Sequence, residues 1–130
     1  MRILLAEDSG FMRVAIERLL VRAGHQVTTV ADGQQAVQVT TEKVPDLVLL
    51  DMMLPKLSGL EVLEALKQSS VTKHIPVVVL TSLSQKNEAK LLQAGAAAYL
   101  MKSDRLLESD SHLLHLVESL KPKVKAASAT

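Results

Sequence analysis

The chain reads as a doubly wound α/β domain built on a parallel sheet, and three observations predict it. Short apolar runs recur at Ile3-Leu4-Leu5-Ala6, Leu47-Val48-Leu49-Leu50, Val77-Val78-Val79-Leu80 and Tyr99-Leu100-Met101. Runs of this length without alternation suit strands buried on both faces. Segments with a helical apolar stripe lie between them. Each run also ends at a polar residue able to do chemistry: Glu7-Asp8, Asp51, Thr81-Ser82 and Lys102. Parallel strands point one way, so these residues gather at the carboxyl edge, where open α/β sheets bind ligands.

The elements follow in order. After the first strand, Ser9 can cap a helix whose inward stripe is Met12, Ala15, Ile16, Leu19, Leu20 and Ala23. Arg13, Glu17, Arg18 and Arg22 take the other face, and Gly24 suits the helix end. Gln26 to Val30 reads as a second strand. Ala31-Asp32-Gly33 turns the chain into a short helix over Gln34 to Thr41, with Ala36, Val37 and Thr40 inward. Pro45-Asp46 introduces the third strand. A loop around Pro55 and Gly59 follows Asp51, then a helix lined by Leu60, Leu63 and Leu66.

Ile75-Pro76 opens the fourth strand. Ser84 can cap a fourth helix, with Ala89 and Leu92 expected inward and Gly95 at its end. The last helix is clearest from Ser111 to Leu120, with Leu113, Leu116, Val117 and Leu120 on one stripe. Leu107 and Leu114 look surplus to that stripe and are candidates for a partner or dimer contact. Alternation of five strands with five helices implies right-handed crossovers and helices on both sheet faces. The expected organisation is one domain over residues 1–120 and a flexible tail over residues 121–130, which lack periodicity.

Composition excludes several classes. The 130 residues are 48% hydrophobic, which sets the chain apart from disordered tails. With one Phe and one Tyr, the core must be aliphatic. A net charge of +1 gives no prior for nucleic acid or membrane surfaces. The absence of cysteine removes disulfides and thiolate metal sites. No apolar stretch approaches spanning length, and a strand starting within two residues of Met1 is expected to leave no room for a signal peptide. The expectation is a cytoplasmic domain.

The strand ends supply three carboxylates, two hydroxyls and one ammonium. If the first and third strands are neighbours, Glu7, Asp8 and Asp51 crowd together and their pKa values rise unless a cation compensates. Magnesium suits such a set, preferring hard oxygen ligands and commonly taking one or two carboxylates with phosphate oxygens. Lys102 and the Thr81 hydroxyl can face a tetrahedral anion. One carboxylate is then free to act as nucleophile. Each element alone has an ordinary explanation: a solvated acidic loop, a turn aspartate, a solvated lysine. The conjunction of four strand ends with complementary charge is the signal. His112 and His115 lie one turn apart, but no third ligand completes a metal set, so they read as a solvated helix face.

Five ordered motifs carry a resemblance: Ile-Leu-Leu-Ala-Glu-Asp-Ser (3–9), Asp-Leu-Val-Leu-Leu-Asp-Met-Met-Leu-Pro (46–55), Ser-Gly-Leu-Glu (58–61), Ile-Pro-Val-Val-Val-Leu-Thr-Ser (75–82) and Ala-Gly-Ala-Ala-Ala-Tyr-Leu-Met-Lys (94–102). With them the chain resembles the response regulator receiver domain of bacterial two-component systems, of the chemotaxis-regulator type. The resemblance implies a flavodoxin-like sheet in the order 2-1-3-4-5. It implies that Asp51 accepts a phosphoryl group from a phosphohistidine. It implies a Mg2+ ion held by Glu7, Asp8, Asp51 and the backbone carbonyl of Met53. Lys102 then contacts the phosphoryl oxygens, and Thr81 and Tyr99 form the switch. Inward movement of Thr81 would vacate space and favour a buried Tyr99.

The partner surface would be the face of the fourth helix, fifth strand and fifth helix. Expected partners are a sensor histidine kinase or histidine phosphotransfer protein and a downstream protein target. No direct nucleic-acid or membrane contact is expected, and the state would be a monomer or weak dimer. The chain departs from the family at Ser103, where proline in a cis peptide is usual, and at Glu7, where aspartate is usual. The resemblance implies that Met53 and Leu83 occupy the positions flanking the phosphoryl group, and neither side chain can orient a water, so slow self-dephosphorylation is expected.

Enzyme activity beyond phosphotransfer and autodephosphorylation is not expected. A phosphatase of the haloacid dehalogenase type would need a second aspartate where Met53 stands. The remaining alternatives are a receiver excised from a longer regulator and a receiver-like module that is not phosphorylated.

Overall fold

Why the apolar runs become central strands is visible in where their alternate side chains go. The computed structural model describes residues 1–81, 88–102 and 112–120. Its elements are β1 (Arg2–Ala6), α1 (Gly10–Arg22), β2 (Gln26–Val30), α2 (Gly33–Lys43) and β3 (Leu47–Asp51), then α3 (Gly59–Gln68), β4 (Val77–Thr81), α4 (Glu88–Gln93), β5 (Ala98–Met101) and α5 (His112–Ser119). The sheet order is β2-β1-β3-β4-β5, with every neighbouring pair parallel.

Successive strand residues point to opposite faces, which divides the core in two. Ile3, Leu5, Leu47, Leu49, Val78 and Leu80 meet Ile16, Leu19 and Leu20 of α1 and Leu113 and Val117 of α5. Leu4, Ala6, Val48, Leu50, Val77 and Val79 meet Ala36 of α2, Val62, Leu63 and Leu66 of α3 and Leu91 of α4. Both faces of β1, β3 and β4 are therefore covered, and neither face tolerates a polar residue until the strand ends.

The helix boundaries have local causes. Ser9 Oγ accepts the Met12 N–H at 3.3 Å, and Gly24 with φ +98° closes α1 while the His25 N–H returns to the Leu20 carbonyl at 3.1 Å. Ser58 and Glu61 form a reciprocal capping box on α3. The Ser-x-x-Glu spacing announces it, although the sequence reading placed Ser58 only in a loop.

Several expectations are corrected. On α4, Leu91 faces the core while Ala89 and Leu92 are exposed. The cause lies at the helix end: Gly95, with φ +108°, turns the chain so that the Ala96 N–H reaches the Leu91 carbonyl at 3.1 Å. That closure aims Leu91 and the half-buried Ala94, three residues apart, at the sheet. Ala23 is exposed at the end of α1, not part of its stripe. Val62, not anticipated, is buried in α3, whereas Leu60 is only half-buried. Leu114 is half-buried against the α1–α5 cluster, so it is not surplus. Ser84, Leu107, Ser111, residues 103–110 and the expected tail at 121–130 lie outside the described residues.

Candidate functional site

Strand register brings the site together. Ala6 pairs with Leu50, Asp51 with Leu80, and Thr81 with Met101. The residue following each apolar run therefore arrives at nearly one level of the carboxyl edge. Backbone bonds extend this row past the strands. The Glu7 N–H donates to the Val30 carbonyl at 3.1 Å, and the Lys102 N–H donates to the Thr81 carbonyl at 2.8 Å.

Glu7 is fully buried. Its Oε2 accepts the Ser9 N–H at 3.1 Å, and the Arg13 guanidinium donates to the Glu7 carbonyl at 2.9 Å and the Asp8 carbonyl at 3.4 Å. Asp51 is buried at the end of β3, and its Oδ1 accepts the Met53 N–H at 3.2 Å. Lys102 reaches in from the end of β5. Its Nζ lies 2.6 Å from Glu7 Oε1 and 2.9 Å from Asp51 Oδ2. Asp8 is exposed at the mouth.

Charge and burial oppose one another here. Burial pushes the Glu7 carboxyl above the usual carboxylate range, and neighbouring Asp51 adds to this, while the Lys102 ammonium and the Ser9 N–H act the other way. For Lys102, burial favours the neutral amine, but the Glu7 and Asp51 carboxylates outweigh it and hold the pKa above 10.5. One ammonium thus serves two buried acids.

The donor set fits a hard divalent cation. Glu7, Asp8 and Asp51 each offer an oxygen, and these atoms lie within 4.8 Å of one another. Glu7 Oε1 is buried and makes its ion contact without any aligned hydrogen bond, which leaves it acceptor capacity for a metal or its water. All-oxygen donors of this charge suit magnesium.

The remaining predicted residues sit on the neighbouring strands and loop. Thr81 is buried as the last residue of β4. Tyr99 is half-buried in β5 and packs against the cluster under α2, α3 and α4. Met53 is 64% exposed, with its backbone tied to Asp51. Leu83 and Ser103 lie outside the described residues.

Sequence reasoning missed three supporting features. Arg13 was assigned only to the outer face of α1, though it binds two carbonyls of the acidic pair. Gly59 reads in sequence as a loop former. A Cβ there would lie 2.5 Å from the Asp51 carbonyl oxygen and 2.6 Å from Met52 Cα, so only glycine lets α3 start against the site. Asp32 caps α2 through the Gln35 N–H at 2.8 Å and sits 3.5 Å from Lys56 Nζ. An Asp-Gly before a helical stripe was the available signal for that cap.

Comparison with known proteins converges on one family. Residues 3–110 match the family model described as the response regulator receiver domain. The polar-differentiation response regulator DivK of Brucella anthropi is 33% identical over 101 residues, covering 77% of this chain and 82% of DivK. The transcriptional regulatory protein AfsQ1 of Streptomyces coelicolor is 36% identical over 101 residues, 77% of this chain but 44% of AfsQ1. The chain therefore spans less than half the length of that relative. Among solved structures, chemotaxis protein CheY4 of Vibrio cholerae superposes with a TM-score of 0.81 at 26% identity, covering 92% of this chain and 97% of that one.

The receiver domain of sensor histidine kinase PA1611 from Pseudomonas aeruginosa, described with a magnesium ion coordinated in its active site cleft, gives 0.76 at 32% identity, covering 92% of this chain and 93% of that one. Among the described residues no helix is long and apolar enough to cross a membrane. The parallel sheet in this strand order, the acidic cluster at its carboxyl edge and the match over residues 3–110 agree: the chain belongs to the response regulator receiver domain family of two-component signalling systems.

Proposed function

We propose that this protein is a phosphorylation-dependent switch in which Asp51 is the phosphoacceptor. The observation that carries this is the Lys102 ammonium set between Glu7 and Asp51 at 2.6 and 2.9 Å, beside the exposed Asp8. Asp51 presents a carboxylate at the end of a rigid central strand, fixed by the Met53 N–H. One Asp51 oxygen attacks the phosphorus of a phosphohistidine on a sensor histidine kinase or histidine phosphotransfer protein. The P–N bond breaks, and its electron pair returns to the imidazole nitrogen.

Lys102 can exchange its contact with Asp51 for one with an oxygen of the incoming group while keeping Glu7, so its charge is not stranded. Glu7, Asp8, Asp51 and the Met53 carbonyl would hold Mg2+. When bound, that ion supplies charge neutralisation for the phosphoryl oxygens. Glu7 and Asp8 supply the negative charge that attracts it, and Glu7 is held in place by Ser9.

Phosphorylation replaces a monoanion by a dianion with new acceptors. Thr81, at the end of the neighbouring strand, is the hydroxyl positioned to answer by moving inward. Tyr99, on the adjoining strand β5, then shifts toward its buried rotamer. The face of α4, β5 and α5 carries that state to a downstream protein, in the cytoplasm and with the regulator monomeric or weakly dimeric. The domain is taken to end near residue 120.

Incubation with acetyl phosphate and magnesium, read by intact mass, tests the proposal. A stable added phosphate on the wild type, absent from Asp51→Asn, is the expected result. Steady turnover of acetyl phosphate with no accumulated adduct would point to a phosphatase. Absence of labelling under all conditions would leave a pure interaction module.

A further inference from the structure

The loop between β3 and α3 carries Met53, the backbone ligand proposed above, yet residues 52–58 include no regular element of their own. Something must hold it, and the start of α2 is the neighbour that does. The Gly33 N–H donates to the Pro55 carbonyl at 3.0 Å. This amide is one of the first-turn donors that a helix cannot satisfy internally, so the loop answers a standing demand of α2.

The approach is close enough to require glycine. A Cβ at Gly33 would lie 2.7 Å from Leu57 Cβ and 2.8 Å from the Leu57 carbonyl carbon, nearer still to its oxygen. Lys56, between Pro55 and Leu57, takes φ +70°, a left-handed conformation that a non-glycine residue adopts only under constraint. Its ammonium leans on Asp32 at 3.5 Å, a minor addition because Lys56 is largely exposed. Leu54 and Leu57 pack on the core beneath.

From this geometry we infer that Gly33 is a positioning residue for the metal site: the first turn of α2 buttresses the β3–α3 loop and sets the affinity of its backbone for Mg2+. The inference rests on the magnesium site proposed above. Residues supporting metal ligands typically change affinity 10–100-fold when altered. Gly33→Ala forces Leu57 and α2 apart, and with them the segment leading from Met53 to Pro55. By reciprocity, a metal that clamps this loop must also suppress the opening that exposes the Gly33 amide.

The experiment is a magnesium titration of the purified protein followed by the Met53 amide resonance, with thermal unfolding in chelator recorded alongside. A wild-type protein whose Met53 amide ignores Mg2+ removes the magnesium reading itself. Given a wild-type response, Gly33→Ala is expected to remain folded in chelator and to need about tenfold more Mg2+ for half-saturation. A folded variant with wild-type affinity overturns the buttress. If Gly33→Ala does not fold, exchange of the wild-type Gly33 amide decides. Slowing by saturating Mg2+ is expected, and an exchange rate indifferent to Mg2+ overturns the inference.

Discussion

Lys102 Nζ lies 2.6 Å from Glu7 Oε1, joining the residue after β5 to the residue after β1, two strands whose places in the sheet are separated by β3 and β4. The contact favours the carboxylate form, which burial disfavours. Burial still prevails, and the Glu7 pKa stands above its ordinary 4.5. The folded state therefore holds this proton more tightly than the unfolded chain. Its contribution to stability is fully present below about pH 4.5 and is lost as pH rises through the folded value. In chelator, the unfolding free energy of wild type minus that of Glu7→Gln should decline across that window in urea titrations. A difference that rises with pH would contradict the assignment. Lys102, also raised, contributes stability lost only at alkaline pH, above 10.5.

Met53 stands exposed beside the proposed phosphoacceptor and offers no group to align an attacking water. Met53→Asn places an amide there. Loss of the added phosphate, followed by mass after removal of the donor, should be several-fold faster in the variant. An equal or slower rate would show that water positioning at this residue does not limit hydrolysis.

Tyr99 is the sole tyrosine, and the chain has no tryptophan, so intrinsic emission reports one side chain. Phosphorylation should alter that emission in wild type. In Thr81→Ala the label should still form, because Asp51 and Lys102 are untouched, but the emission change should shrink. A full Tyr99 response without the Thr81 hydroxyl would uncouple the two residues.

Two substitutions at the start of α3 separate sterics from capping. Gly59→Ala presses a methyl group onto the backbone of Asp51 and Met52, and overpacking of this kind costs about 2 kcal/mol. Ser58→Ala removes only the capping box and should cost about 1 kcal/mol. Urea midpoints measure both. Phosphate labelling should suffer in Gly59→Ala, whose added methyl meets the Asp51 backbone, and survive in Ser58→Ala, which removes a hydrogen bond at the helix start.

What was legible in the chain was local. Continuous apolar runs announced strands buried on both faces, which holds for β1, β3 and β4 but not for the edge strand β5, half-buried with Met101 exposed. The polar residue closing each run placed Glu7, Asp8, Asp51, Thr81 and Lys102 at one edge. Direction alone accomplishes this, because parallel strands share their carboxyl side. The fourth helix was misjudged for the same local reason. Leu91 and Leu92 are equally apolar, and it is Leu91, whose carbonyl takes the Ala96 N–H in the turn at Gly95, that meets the sheet.

Tertiary structure decided what depends on neighbours distant in sequence. It put one ammonium between two buried acids, turned Arg13 onto the backbone of the acidic pair, and pressed Gly33 and Gly59 against the loop and strand end that frame the site. None of these has a periodic signature, since each is set by how closely separate elements approach. Hydrophobic pattern determines which face of a segment is buried, but the distance between two segments is settled only when all of them pack together.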